Sequence, residues 1–377
     1  MSEYQIYEFQ AVDRPLTNLE REEIRRLSSR VNPTSHQAMF TYSYGGFRGN
    51  PLDTLVTYFD AMYYVANFGV QELAFRLPKS LLDREATKAY LYEGCIELTP
   101  KDQWYILDIS YSMETGFGWL EEESRLPDFI DLRQEILQGD YRGLYLAWLR
   151  LVTLKFNDID CDVEFDEEAL EPPVPPGLQT LSPAQAAFVQ TFEIDPAILA
   201  AAQQASGPLS NTPEIDWSGA IAQLSSQEQQ TFLRRLAEGE PNLTAKFQKA
   251  LRPFVTTSSS ATSTQPPRRS AKQLLALAEV EQKKAMQLAK ESAKAERIKA
   301  LQTLAPKEPY LWEEVEKIMR EKKSPSYGRA TELLVDLKDL AVFQHQEVIF
   351  EARLHKLCES YSPTPALVKR LKQAKLR

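Results

Sequence analysis

The sequence predicts an α+β protein: a front domain that combines a sheet with packed helices, followed by all-α regions. Three observations carry this. Short alternating aromatic and β-branched runs recur in the first ~110 residues, with helical patterns between them. From about residue 119 onward the apolar residues recur at helical spacing. Beyond residue 182 no strand pattern returns, and helix starts and stops follow one another.

In the front domain, residues 4–12 alternate and are rich in aromatics, which predicts a strand. Thr17 and Glu20 have the spacing of a capping box, which opens a charged helix running to about Arg30. Residues 39–44 form a second predicted strand, ended by Gly45-Gly46. Pro51 stands at a first helical position, where its missing N–H costs nothing. The run 52–67 is apolar on nearly all sides and reads as a buried helix stopped by Gly69. Residues 71–77 predict a third strand, and 96–98 with 104–109 a hairpin. A mixed, ferredoxin-like sheet is the first expectation. Residues 119–156 then predict helices, with one stripe on Leu132, Ile136 and Leu137. A denser one lies on Leu144, Leu146, Trp148, Leu149, Val152 and Leu154.

Composition changes at residue 157. Asp158, Asp160, Asp162, Glu164, Asp166, Glu167 and Glu168 form an acidic run, and Pro172, Pro173, Pro175 and Pro176 follow. Proline fixes φ and forbids a helix, so 157–181 reads as an acidic, extended linker after a 1–156 domain. Ser182-Pro183 starts a small helical domain over 182–255, with Trp217, Phe232, Leu233, Leu236 and Phe247 as its expected core. Residues 256–270 are rich in Ser and Thr and hold no large apolar side chain, which predicts a flexible tether. The rest, 271–377, reads as a basic helical module. One long helix covers 271–305, with heptads too weak for a coiled coil by themselves. Three or four shorter helices follow, with Leu333, Leu334, Leu337 and Leu340 on one face.

Charge is divided along the chain. The whole sequence of 377 residues carries 44 Lys+Arg and 53 Asp+Glu, a net −9. Positions 268–377 hold 23 basic and 15 acidic residues, against 21 and 38 in 1–267. Such asymmetry speaks to partners. The opening MSEYQIYEFQ has neither the basic nor the apolar part of an export signal, and no apolar run is long enough to cross a membrane. Three widely separated cysteines, Cys95, Cys161 and Cys358, do not make a disulfide framework and fit a reducing, cytoplasmic setting.

No motif specifies a reaction or a cofactor. Asp158, Asp160 and Asp162 match the first carboxylates of a calcium loop. The sharp-turn position is then Val163 and the closing position Ala169, so the oxygen shell is incomplete. His36, His345 and His355 lie too far apart for a zinc site. The turn Gly45-Gly46-Phe47-Arg48-Gly49-Asn50-Pro51 joins a strand to a helix, a setting where amides can meet an anion. It is neither a dinucleotide fingerprint nor a P-loop, and that mismatch favours a plain tight turn. Arg48, Arg14 and Tyr44 are the candidate contacts there, with Tyr42 beside them. Arg268, Arg269, Lys272, Lys283, Lys284 and Arg297 are the candidate basic face. Interleaved Glu279, Glu281, Glu291 and Glu296 also allow a plain solvated helix laced with ion pairs.

Two resemblances add to this reading. The phrase Tyr7-Glu8-Phe9-Gln10-Ala11-Val12-Asp13-Arg14-Pro15-Leu16 resembles the opening of a bacterial protein family of unknown function. The likeness continues through Tyr58-Phe59-Asp60-Ala61, Arg76-Leu77-Pro78 and Gly139-Asp140-Tyr141-Arg142. It implies no chemistry. The end, at 333–341, 350–357 and 365–371, is similar to the C-terminal helices of bacterial SWIM-type zinc-finger proteins. The zinc ligands of those proteins are missing here, so the resemblance implies a helical docking module without the metal. The expectation is thus a non-enzymatic interaction or scaffold protein with a protein partner. The alternatives are a nucleic-acid-associated factor using the basic helices, and an enzyme with a site near 45–51.

Overall fold

In a computed structural model, residues 3–118, 120, 123–209, 217–254, 268–321, 327–361, 365–374 and 376 are described. They form two compact units, Met1–Gln282 and Lys283–Arg377. No helix among the described residues is long and apolar enough to cross a membrane.

The first unit is built on a six-stranded sheet: β1 (Gln5–Gln10), β2 (Gln37–Tyr42), β3 (Ala61–Ala66), β4 (Val70–Pro78), β5 (Ile96–Lys101) and β6 (Trp104–Ser112). The order is β2-β1-β3-β4-β6-β5, and every neighbouring pair is antiparallel. The α+β class stands. The mixed, ferredoxin-like arrangement does not: every pair is antiparallel, and β1 pairs directly with β2, whereas a split βαβ unit keeps another strand between those two.

The departure begins at residues 52–67. Helix α2 (Pro51–Tyr58) stops at Phe59, whose backbone is extended, and Ala61–Ala66 is a strand rather than more helix. The run is apolar on all sides because the strand is buried on both faces, which gives the same pattern as a buried helix. Asp60 fixes the change of direction. Its carboxylate accepts from the N–H groups of Val12 and Asp13 at 2.7 and 2.9 Å, and from Arg76 Nη2 at 2.6 Å. Arg133 reinforces this corner, with a two-pronged bond to Asp13 at 2.9 Å and a bond to the Arg76 carbonyl. Gly69, at φ +101°, then turns β3 into β4, and its missing side chain lets Met113 O approach.

Alternation along the strands separates two cores. On one face Tyr7, Phe9, Phe40, Met62, Tyr64 and Ile106 pack under α1 (Asn18–Leu27) and α2. Thr17 and Glu20 form the capping box that starts α1. On the other, Tyr63, Leu73, Phe75, Leu107, Ile109 and Tyr111 meet the helical layer. A short α3 (Arg84–Lys88) precedes β5. The layer contains α4 (Ile130–Gln138), α5 (Arg142–Phe156), α6 (Pro183–Thr191) and α7 (Pro196–Gln203). Helix α5 is buried from Arg142 to Leu154, as its dense apolar pattern demands.

Residues 157–181 are a packed part of this unit, not a linker. Ile159, Cys161, Val163 and Phe165 are half-buried against the core, while Asp158, Asp160, Asp162, Glu164 and Asp166 stay exposed between them. The acidic run is the wet half of an extended segment, whose other half faces inward with period two. Phe165 stacks on Tyr92, and Leu178 is fully buried.

The expected small domain over 182–255 is likewise divided. Helices α6 and α7 belong to the main core through Phe188, Phe192 and Ile198. Only α8 (Trp217–Ala222), α9 (Ser226–Ala237) and α10 (Leu243–Leu251) share a small cluster of Ala220, Leu224 and Leu251, with Phe232 and Phe247 against it. Trp217, Leu233 and Leu236, expected inside, are exposed. Most of the Ser/Thr tether lies outside the described residues, and its end, 268–270, is hydrogen-bonded to Glu171 and bridged to Leu170. The border between units falls farther on, inside α11 (Ala271–Leu304), whose Ala271, Leu274 and Ala278 are buried in the first unit's core.

The second unit continues through α12 (Glu308–Glu321), α13 (Tyr327–Phe343), α14 (Glu347–Tyr361) and α15 (Pro365–Gln373). Leu333, Leu334, Leu337 and Leu340 form the expected buried face, and the first three share a core with Trp312, Phe350, Leu354 and Leu357. His345, at φ +57°, lies in the turn between α13 and α14.

Candidate functional site

Two of the three residues selected near the glycine-rich turn share one depression. Arg48 and Tyr44 line a cavity of about 280 Å3 with Arg30, Ser28, Ser29, Thr41, Tyr42 and Ser43. Arg30 arrives from beyond the end of α1, and Tyr44 from the strand run-off of β2. The Tyr42 hydroxyl is a buried oxygen close to Ser28, and burial raises its pKa. Arg14 is not part of this group. It stands at the opposite end of α1 in a two-pronged pair with Glu20, at 2.6 and 2.9 Å, and that pairing holds the Glu20 carboxyl down at about 2.

The turn itself has a structural task. Phe47 inserts into an aromatic cluster, 5.2 Å from Tyr7 and 5.0 Å from Phe40, ring centre to ring centre. Asn50 caps α2, its Oδ1 accepting from Leu52 N at 2.8 Å. The helix-start amide that an anion would use is taken by the protein's own side chain.

The basic residues chosen from sequence do not form one face. Arg269 turns inward to Glu171, and Arg268 donates to the Glu171 carbonyl at 2.6 Å. Lys272 pairs with Glu168 at 2.9 Å. Arg297 binds Asp336 and Asp339 at 2.8 and 2.6 Å, within the second unit. Lys283 and Lys284, on α11, also have interaction partners. Spacing along a helix could not reveal this, because the acceptors come from distant parts of the chain.

The second unit presents a different kind of surface. A groove of about 570 Å3 between α12 and α14 is lined by Trp312, Glu316, Ile349, Ala352, Arg353, Lys356, Leu357 and Ser360. Trp312 is nearly buried, tilts against Phe350 at 5.7 Å, and lies under the Arg353 guanidinium at 4.5 Å. Beside the groove, where α13 turns into α14, Val342, Phe343, Val348 and Ile349 are exposed, Val348 at 80% and Ile349 at 63%. Helix α14 buries Phe350, Leu354 and Leu357, so its one inward stripe is already satisfied and Val348 and Ile349 are surplus to it.

Sequence inspection also missed a carboxyl cluster on the sheet. Asp108 of β6 stands opposite Glu97 of β5, and Glu72 of β4 lies one diagonal away on the same face. Burial and then the neighbouring Asp108 push the Glu72 carboxyl up, to about 8. Burial and then Glu97 push Asp108 up, to about 6. Glu72 in its protonated form can donate to Asp108, so the pair shares a proton. Strand pairing, which is not written in local sequence, brings the three together.

Among protein-family models, curated proteins and solved structures, no match to this chain is found.

Proposed function

We propose that this is a non-enzymatic interaction protein, and that its C-terminal helical unit docks a protein partner at the groove of Trp312 and the apolar rim of Val348 and Ile349. The observation that carries the reading is that rim. Large aliphatic side chains at 80% and 63% exposure flank a groove floored by a nearly buried tryptophan. Contiguous apolar surface beside a shaped groove marks interaction sites, and tryptophan and arginine are the side chains that dominate binding energy there. An amphipathic helix with acidic flanks fits the chemistry: apolar residues against Trp312 and Ile349, carboxylates toward Arg353 and Lys356. The likeness of these helices to the end of SWIM-type proteins belongs to the same proposal, with docking carried over and zinc not. The ion pairs of Arg269, Lys272 and Arg297 count against reading the basic residues as a phosphate-binding face.

The test is affinity capture from the source cells with the full chain and with a Val348→Asp/Ile349→Asp variant whose circular dichroism matches. Proteins retained by the first and lost by the second support the reading. Identical captured sets from both overturn it.

A further inference from the structure

Cys95 and Cys161, far apart in the chain, lie along the same edge of β6. Cys95 immediately precedes β5, and its carbonyl accepts from Ser110 N at 2.8 Å. Cys161 bridges Met113, with Asp162 N donating to Ser112 O at 3.0 Å and Glu114 N to Asp160 O at 3.2 Å. The two segments are clamped together. The Tyr92 hydroxyl donates to Glu164 O at 3.2 Å and accepts from Asp166 N at 3.0 Å. Gly94 passes so close that a Cβ there would stand 2.9 Å from Val163 Cγ2. The two thiols stand near enough across these segments to shift one another's pKa. Cys95 is 2% exposed, whereas Cys161 is only half-buried.

We propose that Cys95 and Cys161 are a peroxide-reactive pair, in which Cys161 attacks hydrogen peroxide and Cys95 resolves the product to an intramolecular disulfide. In the first step the Cys161 thiolate displaces the far oxygen of the peroxide. An S–O bond forms, the O–O bond breaks, and hydroxide leaves to be protonated to water. In the second step the Cys95 sulfur attacks Cys161, the S–O bond breaks, and the oxygen departs as water with the Cys95 proton. Two thiols and one peroxide thus give one disulfide and two waters, each sulfur losing one electron. The environment suits these roles. The Cys95 thiol and the backbone amides hold Cys161 down at about 6, against the effect of burial, while Cys95 is pushed up and keeps its proton. A low-pKa, partly exposed thiol near a second thiol is the arrangement that oxidises reversibly. The plain alternative is two thiols that only fill the core.

The test uses the full-length chain carrying Cys358→Ser, with hydrogen peroxide as the probe. Treatment followed by denaturation should leave no titratable thiol, and non-reducing peptide mapping should join Cys95 to Cys161 within one chain. Dithiothreitol should restore both thiols. The rate against pH should rise with a midpoint near 6, where an ordinary thiol gives ~8.5. Two thiols that persist, a sulfinic or sulfonic acid at Cys161 beside a reduced Cys95, or a disulfide between chains overturns the proposal. In a Cys161→Ser version, Cys95 should stay reduced under the same treatment. Oxidation of Cys95 at the undiminished rate would overturn the assignment of the attacking sulfur.

Discussion

Arg269 reaches across the chain to Glu171 and grips both oxygens of its carboxylate, at 2.7 and 2.8 Å, on a glutamate that is 1% exposed. The Tyr145 hydroxyl donates to the same carboxylate. Arg269 also donates to Ala201 O at 3.1 Å, and Leu170 bridges Ser270. This contact seats the start of α11 in the first unit.

Removing one partner leaves the other buried and uncompensated, which costs about 3–5 kcal/mol. Arg269→Ala and Glu171→Ala are both expected to destabilise the first unit on that scale, by denaturant unfolding. Backbone amides of 271–278 should exchange faster in either variant. Unchanged exchange there would rule out the seating role.

The carboxyl pair on the sheet gives stability a particular pH dependence. The folded Glu72 pKa is raised above its ordinary value of 4.5, to about 8. The folded state therefore binds more protons than the unfolded chain across that interval. Its contribution is complete below about 4.5 and is lost as pH rises through about 8. Melting temperature should fall between pH 5 and pH 8 by on the order of a few °C. Glu72→Gln, which keeps the donor at every pH, should flatten the slope in the same melting series.

Asp60 has the opposite sign. Burial works against its charge, but Arg133 and Arg76 outweigh burial and hold its carboxyl below the usual range. Its contribution is present above about 3.9 and is lost as pH falls through the lower folded value. Asp60→Asn removes the charge facing two nearly buried guanidiniums and is expected to cost about 3 kcal/mol. Acid unfolding of the variant should begin from a lower plateau and show a shallower limb. An unfolding curve that superimposes on the parent's would refute this.

Gly69, in the turn between β3 and β4, leaves no room for a side chain. A Cβ there would lie 2.1 Å from Met113 O, and the residue sits at φ +101°. Backbone cannot yield as a side-chain tip can. Gly69→Ala should cost about 3 kcal/mol or more in chemical denaturation, the clash adding to the strained φ.

Val348 and Ile349 should behave in the reverse way. Exposed positions away from special features change stability within ~0.5 kcal/mol on substitution. Val348→Asp/Ile349→Asp is expected to leave the midpoint of unfolding in place while it reduces the surface's binding of a hydrophobic dye. A large loss of stability would show that these side chains serve packing.

Local signals were written plainly in the sequence. Thr17 with Glu20 and Ser182 with Gln185 each satisfy orphan amides within four residues, and both capping boxes form. The stripe of Leu333, Leu334, Leu337 and Leu340 follows from helical period alone, and the α+β class from the segregation of strand and helix patterns. Pairing decided what remained. An apolar run such as 61–66 reads as helix or strand until β1 and β4 take its backbone hydrogen bonds. An acidic run such as 158–168 reads as linker until its alternate residues find a core. Glu72 with Asp108, Arg269 with Glu171 and Cys95 with Cys161 each join residues whose separation along the chain carries no information about distance. Only the closed sheet and the helices on it bring them together, because burial and charge compensation act through space and not along the backbone.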